Sequence, residues 1–257
     1  MKHVFNYACI FIFFLSTSKL NAQIFCGADD IHNSRMQTDV NYKNQSDDLE
    51  SQIKHIIKNQ SGNKMQSQVY NVPVVVHVIH LGEAIGTGTN ISDAQITGAI
   101  QTLNNVFRNA NVTGVDMQIN FCLAVRDPNG NPTTGINRVN GTVVPNYATG
   151  GINNPYCNTV YADEQTVKNL SRWPFKDYLN IWVVNKICNG AYTGFATFQA
   201  GTTKDGACLI YSAMNANSVT LSHEVGHMFN LLHTFNGDGT NHNVCPADTS
   251  CGDNGDY

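Results

Sequence analysis

Charge is scarce in this chain of 257 residues: Asp, Glu, Lys and Arg together make up 13%, and the formal net charge is -4. The 15 basic residues are scattered and form no stripe, which argues against a nucleic-acid partner. Long apolar runs are missing too. The stretch at residues 8–15 falls far short of the roughly 20 residues that span a bilayer, so no retained membrane anchor is expected. No C-x2-C pair occurs, which disfavours a cysteine-built structural zinc cluster. No glutamate follows Glu224 and no methionine follows Met228.

Export is written at the start. Lys2 and His3 precede the short apolar stretch, and a polar segment then ends at Leu20-Asn21-Ala22, the pattern of a secretory signal peptide over residues 1–22. The mature chain is therefore expected to be secreted, extracellular or periplasmic. In such a compartment the 8 cysteines point to disulfides. Cys9 leaves with the signal. With Cys26 in a removable leader, Cys122, Cys157, Cys188, Cys208, Cys245 and Cys251 remain, and spacing alone does not choose among their pairings. A hydrophobic content of 42% suffices for one domain with a substantial core.

The chemistry is concentrated in His223-Glu224-Val225-Gly226-His227, followed by His233. On a helix, residues four apart share a face at about 6 Å, so His223 and His227 can reach one metal ion. Glu224 stands beside them without ligating, where a general base acts on metal-activated water. An unbroken helix would turn His233 about 240° away from that face. The helix must stop first. Asn230 stands where the chain has to turn, and asparagine accepts the left-handed conformation that ends helices. His233 can then return as third ligand. Three neutral imidazoles and an open fourth position describe a catalytic Zn2+ site. A purely amphipathic helix would explain Val225, Met228, Leu231 and Leu232 but not the histidines.

The string from His223 to His233, continued by Thr234-Phe235-Asn236-Gly237, resembles the metzincin zinc signature as found in the pappalysin family, which includes ulilysin-like bacterial proteases. That family usually has glycine where this chain has Asn230. The resemblance extends upstream through less specific stretches at residues 72–79, 90–96 and 178–185. It implies zinc ligands at His223, His227 and His233, a general base at Glu224, and a metzincin-like upper subdomain. Its expected architecture is α/β (α+β): a twisted mixed sheet with a backing helix and an active-site helix. It further implies a secreted zinc endopeptidase acting on protein or peptide substrates. Metzincins place a methionine-containing turn downstream of the third histidine, and none stands here. The lower subdomain is accordingly expected to be largely missing from a truncated chain. The rival expectation is a catalytically inactive zinc-binding module.

Residues 23–68 are polar and read as a pro-segment with one helix, capped by Ser46 and striped by Leu49, Ile53, Ile56 and Ile57. Cys26 offers a thiolate that can fill the open coordination position, with Asp29 or Asp30 as substitutes. Residues 69–257 read as the catalytic domain. Residues 72–79 make a buried strand in which His77 is better explained by packing than by a metal. Ser92 and Gln95 form a capping box before a helix through Ile96, Ile100, Leu103, Val106 and Phe107. Strands are expected at residues 117–125, 179–185 and 206–212, the last of them either an ordinary strand or the exposed edge that binds substrate. Residues 136–160 read as loops. The zinc helix is expected to start near Ser218. In the tail, Asp238, Asp248, Asp253 and Asp256 offer Ca2+ ligands, but without EF-hand spacing a solvated loop is the better reading.

Overall fold

The computed structural model describes residues 26–60, 68–110, 114–153, 157, 160–198 and 204–233. Residues 1–22, where a signal peptide is expected, Cys245, Cys251 and the acidic tail with its calcium candidates lie outside the described residues.

The expected α/β fold is present. Six strands form one sheet: β1 (Tyr70–His80), β2 (Ile119–Leu123), β3 (Ile136–Asn140), β4 (Leu179–Val184), β5 (Gly194–Ala196) and β6 (Ala207–Ile210). Their order is β2-β1-β4-β6-β5, with β3 continuing along β1 beyond β2. All pairings are parallel except that of β5 with β6. Parallel strands are covered on both faces, which explains the unbroken apolar run in β1. Its Val74, Val76 and Val78 point to one face, where α3 (Asp93–Phe107) and α6 (Thr220–Met228) pack through Ile96, Ile100, Leu103, Leu221 and Val225. Ile79 points to the other, with Trp182, Val184, Phe195 and Cys208 beneath the short helices α4 (Tyr147–Gly150) and α5 (Glu164–Lys168).

Four local readings change. Residues 136–160 are not all loop: β3 forms because Ile136 and Val139 pack along β1, a tertiary gain that a five-residue stretch cannot advertise. The strand at residues 207–210 is internal, the ordinary-strand option, and the outermost strand on that side of the sheet is its antiparallel neighbour β5. Ser92 caps α3 by accepting from the Gln95 amide, yet the Gln95 side chain turns outward to donate to the carbonyls of Tyr211 and Met214, tying α3 to the approach to α6. The segment expected to be a leader holds two helices, α1 (Ala28–Thr38) and α2 (Val40–Gln60), and Ser46 is interior to the second. Ile56 and Ile57 of the expected stripe are exposed; the docked face belongs to α1, through Ala28, Ile31 and Arg35.

His77 is a core histidine, as expected. Its ring stacks on Trp182 with centroids 5.1 Å apart, and Nε2 lies 2.9 Å from Asn180 Oδ1. Burial lowers its pKa to about 4. The neutral ring is the one that fits, so the unfolded chain binds the extra proton between about pH 6.5 and 4. Stability is fully present above pH 6.5 and falls as pH drops toward 4, by about 3 kcal/mol for this group. Urea unfolding at pH 7 and 4.5 should show that part of the acid loss disappearing in His77→Gln.

Candidate metal centre

Helix α6, which carries His223 and His227, ends as its sequence requires. Asn230 has φ 63°, the left-handed value, and the Leu231 amide donates to Gly226 O at 3.1 Å while the Asn230 amide donates to His227 O at 2.9 Å. These two bonds are the Schellman closure of a helix. They reverse the chain within three residues, so His233 comes back over the face that carries His223 and His227. The helix starts at Thr220, not Ser218; the Ser218 hydroxyl accepts from the Thr220 amide just outside it.

All three histidines converge. Their Nε2 atoms are 3.1 Å apart for His223 and His227, 3.1 Å for His223 and His233, and 3.2 Å for His227 and His233. Imidazoles bound to one tetrahedral cation at about 2.0–2.1 Å place their nitrogens about 3.3 Å apart. The outer nitrogens fix the protons. His227 Nδ1 is 2.7 Å from Leu231 O, which can only accept, so the proton sits there and Nε2 presents a lone pair. His233 Nδ1 likewise donates to Asp29 Oδ2 at 2.7 Å. Lone pairs therefore face each other across the cluster, an arrangement that repels unless a cation lies between. Burial, then the neighbouring His233 ring, lowers His223, and burial lowers His227 to about 4, so the ligating neutral forms dominate. The residues present fit a metal ion.

Cys26 completes the group. Its Sγ is 3.4 Å from His227 Nε2 and 3.6 Å from Glu224 Oε2, and the four side chains form a candidate metal-binding set. The segment reaches this position by strand addition: Cys26 bridges Gly194 in parallel, and the Gly27 amide donates to Gly194 O at 3.0 Å on the open edge of β5. Of the other acids considered, Asp29 sits on the outer nitrogen of His233 and Asp30 accepts from the Tyr192 hydroxyl at 2.8 Å; neither occupies the inner position.

Glu224 is fully buried, and its Oε1 has no hydrogen-bond partner among the described residues. Burial pushes its pKa up to about 8. Space for it is made by Gly194, where a Cβ would stand 2.7 Å from Oε1. A larger residue there would displace the carboxylate.

Several parts were missed. β5 is three residues long, too short for any periodicity to register. Arg35 is buried, with Nη2 3.0 Å from Glu164 Oε2 and Nη1 3.2 Å from Thr197 Oγ1, while Lys168 Nζ is 2.6 Å from Glu164 Oε1. The spacing of Ala28, Ile31 and Arg35 is a helical stripe and could have marked it. Of the cysteines, Cys157 and Cys188 form a disulfide with Cα atoms 5.5 Å apart, whereas Cys122 and Cys208 are free thiols rather than paired.

A family profile described as pregnancy-associated plasma protein-A matches residues 161–256. An extracellular metalloprotease of Neurospora crassa is 25% identical over 201 residues, which cover 73% of this chain and 54% of that protein. The chain thus spans about half the length of this curated relative. Among solved structures, a point mutant of promirolysin from Tannerella forsythia is 30% identical with a TM-score of 0.60, covering 82% of this chain and 70% of that one. Mature mirolysin from the same organism, in complex with a cleaved peptide, is 31% identical with a TM-score of 0.50, covering 68% of each chain. Fold, profile and relatives agree with the arrangement at α6, and the chain belongs to the pappalysin family of metzincin metallopeptidases.

Proposed function

We propose that this protein is a secreted, latent zinc endopeptidase, with His223, His227 and His233 as metal ligands, Glu224 as general base and residues 23–68 as its pro-segment. The observation that carries the reading is the convergence of three imidazole Nε2 atoms, those of His227 and His233 with their lone pairs inward, beside a buried carboxylate with one oxygen unpartnered among the described residues. Zinc suits an all-imidazole set, and when bound it polarises the scissile carbonyl and lowers the pKa of water.

The chain's own groups supply the rest. Glu224 takes the proton of the attacking water and returns it to the leaving amine. Beside the three histidines, Glu224 would have its raised pKa drawn back down by a bound cation, leaving the carboxylate able to accept a proton near neutral pH. The outer edge of β5 holds the peptide backbone by strand pairing, beginning at Gly194, where Glu224 is adjacent. In the full chain this edge and the inner position are taken by Gly27 and Cys26. That occupation is the basis for latency. The likeness to promirolysin covers 82% of the chain and that to mature mirolysin 68%, a difference the size of the segment 26–60. The extracellular relative supports secretion, and no described helix is long and apolar enough to cross a membrane.

Metal removal tests the reading. Chelation should abolish casein cleavage by leader-freed protein, and stoichiometric zinc should restore it. Cleavage that persists in metal-free protein would refute the proposal.

A further inference from the structure

The three ligands are not held alike. His223 and His227 project from α6, and His227 is locked from within its own domain by the Leu231 carbonyl. His233 stands beyond the helix, after the reversal at Asn230, and its outer nitrogen is bonded to a residue of the leader, Asp29 Oδ2 at 2.7 Å. Both side chains are well shielded, at 11% and 18% exposed. A carboxylate on the outer N–H of a ligating histidine fixes the ring and raises its basicity, and losing it costs about 10–100-fold in metal affinity.

We propose that Asp29 is a positioning residue for the metal site: the leader supplies the outer partner of His233 as well as the blocking thiol, so the uncleaved chain captures and retains its metal more tightly than the chain freed of the leader. This rests on the reading of His223, His227 and His233 as metal ligands. The leader is seated on the domain independently of both groups, because Arg35 is buried against Glu164 and Thr197 about two turns further along α1. Asp29 can therefore be changed while Cys26 stays in place.

The test uses the full chain loaded with cobalt(II), whose thiolate absorption band reports whether Cys26 is still ligating, with metal loss to a chelator followed in the same cuvette. Asp29→Ala should lose metal about 10–100-fold faster than the parent chain with the thiolate band intact, and Asp29→Asn, which keeps an acceptor but not the charge, should fall between. Asp30→Asn, whose partner is Tyr192, should behave as the parent does. An unchanged stripping rate in Asp29→Ala with the band present would overturn the proposal. Fast stripping with the band lost would overturn it as well, assigning Asp29 to seating the leader rather than His233. Failure of the parent chain to bind cobalt or zinc at all would instead sink the ligand assignment itself.

Discussion

Glu224→Ala, freed of its leader, is expected to bind metal as the parent does and to cleave peptides about 10²–10⁴-fold more slowly, the usual worth of a positioned general base. Two features place the effect in the chemical step. Glu224 is not one of the converging nitrogens, and among the described residues its side chain hydrogen-bonds to Cys26 rather than to the three rings, so the donor set survives its removal. Among the described residues its Oε1 has no hydrogen-bond partner whose loss would confuse the result. His227→Ala should behave oppositely: it deletes a ligand and the Leu231 contact together, and elemental analysis should find the metal gone. Equal cleavage by the parent and Glu224→Ala would remove that residue from the mechanism.

How much of this was readable in advance depends on where the information is stored. The histidine-bearing helix is local: the spacing of His223 and His227, and the turn at Asn230, follow from helix geometry and one residue's tolerance of positive φ, and both are present. The strand at β1, the capped α3 and the core role of His77 were legible for the same reason. The edge strand was not. Gly194-Phe195-Ala196 becomes a strand only through pairing with β6, and the need for glycine arises from Glu224, thirty residues on. The leader shows the same division. Cys26 was legible as a possible blocker by its chemistry, but α1 was overlooked in favour of the apolar stripe of α2, because the residue that anchors α1 is an arginine. A buried cation is invisible to hydrophobic periodicity until its acidic partner is known.

That anchor makes the second large effect. Arg35→Ala is expected to loosen the leader by about 3 kcal/mol, near a 100-fold rise in the fraction undocked. Removing one member of a buried ion pair costs about 3–5 kcal/mol because the partner is left as an uncompensated charge. Here Lys168 remains on Glu164 Oε1, which puts the effect at the lower end of that range. Lys168 cannot take over the lost bonds, since its ammonium already sits at Oε1 and donates to the Lys204 carbonyl at 3.2 Å. Glu164 Oε2 and Thr197 Oγ1 therefore lose their guanidinium together. The exposed pair Lys43–Asp47 should contribute far less when broken, with side chains 51% and 53% exposed. Limited proteolysis under native conditions separates the two: Arg35→Ala should be cut within residues 26–60 about 100-fold faster than the parent, and Lys43→Ala at nearly the parent rate. The domain beneath should keep its melting midpoint, because Glu164 and Lys168 still neutralise one another there. Equal cutting of Arg35→Ala and the parent would mean that the Cys26 thiol among the histidines and the strand pairing at Gly194, rather than the buried charge, hold the leader in place.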